Sequence, residues 1–359
     1  MAIKVAINGF GRIGRAAFKI AQSKPELEVV AINDLANARI LAQLLKYDTA
    51  YKIFDKEVGV EEDGKYTNIT HNDGNKDFFK PTSSKNYLVV EGKKILITAE
   101  KEPNLLPWKE LGIDVVLECT GRFTDHDSAQ AHLQAGAKKV LISAPAKGDK
   151  TQIFLMGVNE DKYFMNDLVS TASCTTNCIS PVVSIIHNKY KVLKSVMTTV
   201  HAITAEQNIV DGPPPARHPD MRRARASGHN MVPTTTGAAK ATTEIIPELK
   251  GLFDGISIRV PIITGSLSDI TMVLENKTTV DEINKLFLET KNNPRYKGII
   301  DATYEPLVSS DIIGNPHSAI VDLSMTKVVG GDLVKILAWY DNEWGYSNRL
   351  VEMAILVAK

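Results

Sequence analysis

Between Ile3 and Asp34 the chain reads IKVAI, NGFGRIGR, AAFKIAQSK and LEVVAIND in succession. A short β-branched run, a glycine-rich turn, a helix-spaced run and a second apolar run make a βαβ unit of the usual ~30-residue size. No other stretch constrains the fold as much. Parallel strands need a crossover connection, and such sheets are covered by helices on both faces.

Within the turn, Gly9, Gly11 and Gly14 form the pattern G-x-G-x-x-G. Each glycine has its own physical task. Gly9 allows the tight turn, Gly11 lets backbone approach a pyrophosphate, and Gly14 lets the helix pack close on the strand. The helix N-terminus presents free N–H groups and partial positive charge to the phosphates. Asp34 stands 20 residues after Gly14, at the end of the second strand. Its carboxylate would accept hydrogen bonds from both ribose hydroxyls and repel a 2′-phosphate, which selects NAD over NADP.

The rest of the chain divides in two. IDVVLECTG and KKVLISAP are further apolar strands, separated by the helix-like DSAQAHLQAGA, and they extend a doubly wound parallel sheet. Residues 45–94 read as polar, irregular hairpins or loops. After residue 172 the strands lengthen. SVMTTVHAIT, ISIRVPI and LSDITMVLE show partial alternation, the mark of an antiparallel sheet with one covered face. TVDEINKLFLET is an amphipathic helix, and the chain ends as strand, loop, helix. A length of 359 residues exceeds what one core usually supports. The expected fold is therefore α/β: a Rossmann-type, doubly wound dinucleotide-binding domain over 1–172, then an α+β domain from 173 with a mostly antiparallel sheet.

Charge narrows the function. Lys+Arg and Asp+Glu are both 42, so the net charge is zero, with no general pull toward nucleic acid or an anionic membrane. No apolar run approaches the ~20 residues that span a bilayer, and the start lacks a signal-peptide pattern. The expected location is cytoplasmic, where thiols stay reduced.

That compartment bears on TASCTTNCISP, residues 171–181, which holds Cys174 and Cys178; the only other thiol is Cys119. A disulfide is disfavoured there, and without a C-x2-C pair no metal site is expected. Core packing or chemistry remains. SCTTNC runs into helical apolar spacing, which puts Cys174 at or just before a helix N-terminus, a position that lowers a thiol pKa. Cys178, one turn further in, reads as a buried core residue. Cys119, inside a strand pattern, reads the same way. A thiol nucleophile needs a base, and His201 at the end of TTVHAIT is the natural candidate, although composition alone fits a core or surface histidine equally well. The other seven histidines fall in loops or on helix surfaces with no visible partner.

INGFGRIGR, SCTTNC, TTGAAKA, RVP and WYDNEWGYS, in this order, resemble the phosphorylating glyceraldehyde-3-phosphate dehydrogenase family over essentially the whole chain. The resemblance implies a Rossmann domain, a mixed α/β catalytic domain, a C-terminal helix (347–359) packing back on the first domain, and a homotetramer. It implies NAD-dependent oxidative phosphorylation of D-glyceraldehyde 3-phosphate through a cysteine thioester. Cys174 then corresponds to the nucleophile and His201 to its base. Thr204 and Arg259, with the NAD ribose, correspond to the substrate-phosphate site. Ser173, Thr175, Thr236 and Gly237 correspond to the site for the attacking phosphate, with Arg223 near both. Asn342 corresponds to the residue that fixes the nicotinamide carboxamide, and Arg12, Ile13, Lys101, Thr120 and Ser143 join Asp34 and the glycines around the cofactor.

The sequence departs from the family pattern in three places. Glu206, in AITAEQ, stands where a neutral residue or Asp is usual, and the stretches at 60–86 and 213–220 are expanded. The arginine run at 222–225 has the alternative reading of a nucleic-acid patch, which zero net charge and the lack of interleaved aromatics oppose. Rival functions are erythrose-4-phosphate dehydrogenase, which shares the nucleophile, an RNA- or partner-binding protein using the NAD groove, and a redox sensor in which Cys174 and Cys178 act together.

Overall fold

A computed structural model describes residues 2–70, 86–213 and 220–359. Most of the expanded stretch at 60–86 and nearly all of that at 213–220 lie outside the described residues. The chain forms two compact units. The first holds residues up to Gln152, Tyr163–Thr171 and Leu350–Lys359; the second holds Ile153–Lys162 and Ala172–Arg349.

In the first unit, β1 (Ile3–Asn8), α1 (Arg12–Ala21) and β2 (Leu27–Asn33) form the crossover that the opening residues encode. β1 pairs in parallel with β2 on one side. Then come α2 (Ala38–Lys46), β3 (Val58–Glu62), β4 (Lys65–Asn68), β5 (Asn86–Val90), β6 (Lys93–Thr98), β7 (Val115–Glu118), α3 (His126–Gln134), β8 (Lys139–Ile142) and β9 (Leu168–Ser170). The principal strand order is β9-β8-β7-β1-β2-β6-β5-β3-β4. Strands from β9 to β6 are mutually parallel, so the sheet divides at β1, and the crevice beyond its C-terminal end is where such sheets bind ligands.

The stretch read as irregular, 45–94, carries more order than its polarity announces. Two antiparallel hairpins extend the parallel sheet there. They turn at Asp63–Gly64 and Glu91–Gly92, and all four residues have positive φ, as two-residue turns of the twist-matched type require. Glu91 is an uncommon residue for that position, which weakens the turn signal in the sequence.

The second unit comprises α4 (Cys174–Tyr190), β10 (Val192–His201), β11 (Val232–Thr235), α5 (Ala238–Ile245), β12 (Phe253–Arg259), β13 (Ser266–Leu274), α6 (Val280–Thr290), β14 (Ile300–Thr303), β15 (Ala319–Asp322), β16 (Lys327–Val329) and β17 (Leu333–Tyr340). Its sheet runs β11-β12-β10-β13-β17-β15-β14, with β16 also on β17. Among the described residues only β10–β12 and β14–β15 pair in parallel in this sheet. β13 buries every second residue, the period of a strand with one face on the core. Ile270, Met272, Ile336 and Ala338 from the sheet close on Ile179 and Val182 of α4 and Phe287 of α6. The last helix, α7, covers Trp344–Val357. Among the described residues no helix is long and apolar enough to cross a membrane.

Candidate active site

The glycine turn of the first unit behaves as three separate constraints. Gly9 has φ +91°, and a methyl group there would sit 2.7 Å from the Thr120 nitrogen. At Gly14 a methyl group would overlap the Gly9 carbonyl oxygen, so only glycine lets α1 approach β1. Gly11 differs, because among the described residues nothing lies within 4 Å of where its side chain would be. It opens on a pocket of about 290 Å³ lined by Gly9, Gly11, Asp34, Lys101, Cys119 and Thr120, among others. The Asp34 carboxylate accepts from the N–H groups of Phe10 (2.8 Å) and Ala36 (2.9 Å), which lock it at the pocket rim.

The remaining expected cofactor residues divide by what holds them. Arg12 and Ile13 start α1, and the Arg12 guanidinium is paired with Asp48 at 2.6 Å. Thr120 donates through both its N–H and hydroxyl to Glu118. Ser143 donates its N–H to the Glu118 carbonyl and bonds through its side chain to the Cys119 thiol. Cys119 is therefore a lining residue of this pocket rather than the core residue its strand context implied. Burial pushes its thiol up to about 12, so it is inert as a nucleophile.

In the second unit the two cysteines of SCTTNC have different environments. Ser173 is the N-cap of α4 and accepts from the Thr176 N–H at 3.1 Å, so Cys174 is the first helical residue. Its Sγ lies 3.4 Å from His201 Nε2. Cys178 is fully buried beside the Ala338 carbonyl at 3.8 Å, and burial raises its thiol pKa strongly.

The histidine tautomer follows from its other nitrogen. His201 Nδ1 lies 2.7 Å from the Ala202 carbonyl oxygen, so it carries the proton there, and Nε2 is left as the acceptor facing the thiol. Burial and the Arg259 guanidinium, 3.1 Å from Nδ1, lower the imidazole pKa to about 3. Burial also pushes the Cys174 thiol up to about 11, against the downward pull of Arg259 and Thr175. The helix N-terminus expected to lower this thiol is therefore outweighed by desolvation. Burial thus favours the neutral form of each group, and the two face each other across the 3.4 Å contact.

Beside this pair the chain gathers charge. Arg259, 9% exposed, donates to Thr204 Oγ1 (3.0 Å) and the Ala202 carbonyl (3.2 Å), while its buried Nε has no hydrogen-bond partner among the described residues. Arg223 donates through Nε to Thr234 Oγ1 (3.1 Å) and through Nη1 to Glu206. Arg259 Nη2 lies 3.5 Å from the same Glu206 oxygen. The arginine run at 222–225 is thus no continuous basic face, because Arg222 pairs with Asp220, Arg223 with Glu206 and Arg225 with Asp211.

The residues expected for an attacking phosphate are arranged less uniformly. Gly237 is the N-cap of α5 with no side-chain cap, and the Thr236 hydroxyl accepts from Ala238 N–H at 3.2 Å. The Ser173 hydroxyl is engaged as the α4 cap, and the Thr175 hydroxyl bonds Tyr340 at 3.0 Å. The Asn342 carbonyl oxygen accepts from Ser266 (2.8 Å), Gly265 (3.2 Å) and Thr264 (3.2 Å), which fixes the orientation of the amide.

Three features have no clear signal in the sequence. Tyr340 packs edge-on to His201, with ring centroids 6.1 Å apart, and its hydroxyl ties Thr175 to Thr199. Ala172, just before the α4 cap, has φ +53° and is held by Tyr346 donating to its carbonyl at 3.0 Å. In the first unit, His132 is fully buried rather than a helix-surface residue. Trp108 Nε1 donates to its Nδ1 (3.0 Å), so Nε2 carries the proton toward Glu118 (3.1 Å). Asn8 donates to the same carboxylate at 2.5 Å, and Asn33 to Asn8 at 2.7 Å. This buried network underlies the pocket floor. Its one trace in the sequence is polar residues inside otherwise apolar strands.

A dinucleotide-type pocket in one unit and a cysteine–histidine pair flanked by buried arginines in another fit a cofactor-dependent oxidoreductase. Residues 173–342 match the family model described as glyceraldehyde 3-phosphate dehydrogenase, C-terminal domain, and residues 3–80 and 68–126 match its NAD binding domain. The chain is 45% identical to a glyceraldehyde-3-phosphate dehydrogenase of Geobacillus stearothermophilus, covering 100% of this chain and 99% of that protein. It is 47% identical to one of Zymomonas mobilis, with the same coverage, and 46% identical to one of Streptomyces coelicolor, with 99% of each chain covered. The chain belongs to the glyceraldehyde 3-phosphate dehydrogenase family.

Proposed function

We propose that this chain oxidises D-glyceraldehyde 3-phosphate with NAD and transfers the acyl group to inorganic phosphate, giving 1,3-bisphosphoglycerate. The observation that carries this reading is the 3.4 Å contact between Cys174 Sγ and an imidazole whose Nδ1 is committed to a carbonyl. Residues 1–172, with the C-terminal helix from 347, make the cofactor domain in this reading, and 173–346 the catalytic domain. The open space at Gly11 and the fixed Asp34 carboxylate fit an NAD pyrophosphate and ribose, with Arg12, Ile13, Gly9, Gly14, Lys101, Thr120 and Ser143 as further cofactor contacts, and Asn342 is assigned to the nicotinamide carboxamide. When bound, NAD supplies the hydride acceptor.

The chain's own residues do the rest. Cys174 passes its proton to His201 Nε2, the thiolate adds to the aldehyde carbon, and His201 returns the proton to the carbonyl oxygen, giving a hemithioacetal. His201 takes the hydroxyl proton as hydride leaves that carbon, and a thioester on Cys174 results. Inorganic phosphate then attacks the thioester carbonyl, the C–S bond breaks, and the thiol is restored. Arg259 and Thr204 hold the substrate phosphate. Thr236, Gly237, Ser173 and Thr175 receive the attacking phosphate, and Arg223 serves both. Guanidinium forks and hydroxyls suit phosphate geometry.

The working form is a cytoplasmic homotetramer in this reading. Support comes from Ile209, Val210, Met221 and Met231, all exposed on neighbouring segments of one loop region, as a subunit interface needs. The test is a rate assay with NAD, glyceraldehyde 3-phosphate and phosphate, each omitted in turn. Activity must vanish without NAD or the aldehyde, and must fall to a single turnover without an acyl acceptor. Faster turnover with erythrose 4-phosphate would reassign the substrate.

A further inference from the structure

Among the described residues, Glu206 is the acidic side chain that reaches both arginines of the anion cluster. Its Oε1 accepts from Arg223 Nη1 and lies 3.5 Å from Arg259 Nη2. A single carboxylate oxygen thus sits between two guanidinium groups whose residues are nine-tenths buried. The carboxylate is the solvent-facing partner, because Glu206 is 42% exposed while the arginine side chains are 6% and 11% exposed. Thr204, two residues earlier, is held by Arg259 at 3.0 Å and by Gln207 at 3.2 Å, so the backbone carrying Glu206 is anchored on both sides. Meanwhile the buried Arg259 Nε has no acceptor among the described residues, the mark of a donor awaiting a ligand.

We propose that Glu206 is a resident competitor for the substrate phosphate: its carboxylate neutralises Arg223 and Arg259 while the site is empty, and it must swing off them when a phosphate monoester binds. The inference rests on the anion-site reading above. Two guanidinium groups facing each other with no anion repel, and burial already works against the Arg259 charge, with Arg223 adding to that effect. A carboxylate on a flexible stem relieves this without closing the site. A phosphate dianion carries more charge and more acceptor oxygens, so it displaces the carboxylate. The consequence is selectivity: weakly bound monoanions face an occupied site, and phosphate affinity is reduced by the cost of moving Glu206 aside.

The experiment uses NAD-loaded protein and glycerol 3-phosphate, an unreactive phosphate monoester, by titration calorimetry. Glu206→Gln is expected to bind it roughly 3- to 10-fold tighter, the range for a partly exposed ion pair. KM for glyceraldehyde 3-phosphate should fall by a similar factor, with no rise in kcat. Unchanged or weaker binding overturns the proposal, since the carboxylate would then be orienting the arginines for substrate. A parallel titration with inorganic phosphate separates the sources; a gain confined to inorganic phosphate also overturns it. Because the amide could merely loosen the loop, melting is followed with and without glycerol 3-phosphate. Competition requires a larger ligand-induced rise in the variant; an equal rise from a lower baseline counts against it. Arg259→Ala is the control for the underlying reading. If it binds glycerol 3-phosphate as well as wild type, the anion site itself is wrong, whatever Glu206 does.

Discussion

The nucleotide pocket of the first unit is shaped by backbone, and the reactive cluster of the second by charge. Around Gly9, Gly11 and Gly14 the fit depends on where side chains are absent, and Asp34 is locked by two backbone N–H groups. Around Cys174 the fit depends on a balance among His201, Arg259, Arg223 and Glu206, with burial working against the charged forms of Cys174, His201 and Arg259. A site set by steric exclusion changes abruptly when one atom is added. A site set by electrostatic balance changes by degree, and each member's worth depends on the others. Mutations in the two places should therefore differ in kind as well as in size.

The largest effect tests the thiol pair. Cys174→Ser should abolish turnover, because a hydroxyl at neutral pH is far less nucleophilic than a thiolate. Cys178→Ser should keep most activity and lose about 1 kcal/mol of stability, as a polar atom enters a packed core. Parallel rate and denaturation measurements on the two variants check this. Equal loss of rate in both would mean that the sulfurs act as a unit, as the redox-sensor reading requires.

Next comes the base. His201→Asn should slow hydride transfer by ~10² to 10⁴-fold, the usual worth of a positioned general base. The two pKa directions add a second readout. Burial pushes the lone thiol up to about 11, so without Nε2 to take the proton, alkylation of Cys174 should need pH well above neutral. In wild type, with Nε2 there to accept the proton, the profile should lie at lower pH. A pH–alkylation profile identical in the two proteins would assign activation to the α4 N-terminus alone.

The contrast between the units also explains what can be read from sequence. Gly9, Gly14 and Asp34 are legible because steric exclusion ties one residue type to one backbone geometry, whatever the neighbours are. The hairpins at 58–68 and 86–98 are half legible: Asp63–Gly64 is a strong turn signal, and Glu91–Gly92 a poor one. The pairing of Cys174 with His201 spans 27 residues and rests on β10 ending beside the start of α4, which no local pattern encodes. Burial of that pair is equally invisible, so the sequence points to a lowered thiol pKa where desolvation raises it. Glu206 stands out in the sequence only as an unusual residue; its position between two arginines appears in three dimensions alone. The network under the pocket is hidden for the same reason, since His132 looks like any polar residue on a short helix.

Within the charged cluster, Arg259→Ala should separate the two phosphates. Deleting a charge-assisted hydrogen bond in a buried site costs roughly 1.5–3 kcal/mol, or about 10- to 150-fold in binding. KM for glyceraldehyde 3-phosphate should rise by that factor, while unphosphorylated glyceraldehyde is nearly unaffected. Thr236→Ala should instead raise KM for inorganic phosphate and leave the first hydride burst intact. Steady-state constants for the two aldehydes, beside a rapid-mixing burst, distinguish these. Proportional loss on both aldehydes would remove Arg259 from the substrate-phosphate site.

The smallest expected effect is the sharpest test of the steric side. Gly11 has φ −71°, an ordinary value for any L-residue, and no atom within 4 Å of a side-chain position. Nothing among the described residues therefore requires glycine there. Gly11→Ala should fold normally and gain about 0.4–1 kcal/mol, because alanine restricts the unfolded chain. The open space is reserved for something outside the chain, and the methyl group would stand where backbone has to approach a pyrophosphate. NAD affinity should fall roughly 10-fold, the low end of the cost of overpacking a close contact. Gly14→Ala, which collides with the Gly9 carbonyl, should instead lose stability first and binding as a consequence. Calorimetric NAD titrations paired with denaturant melts separate the two patterns. If Gly11→Ala bound NAD as tightly as wild type, the phosphates would lie elsewhere, and the pocket beyond β1 would need another occupant.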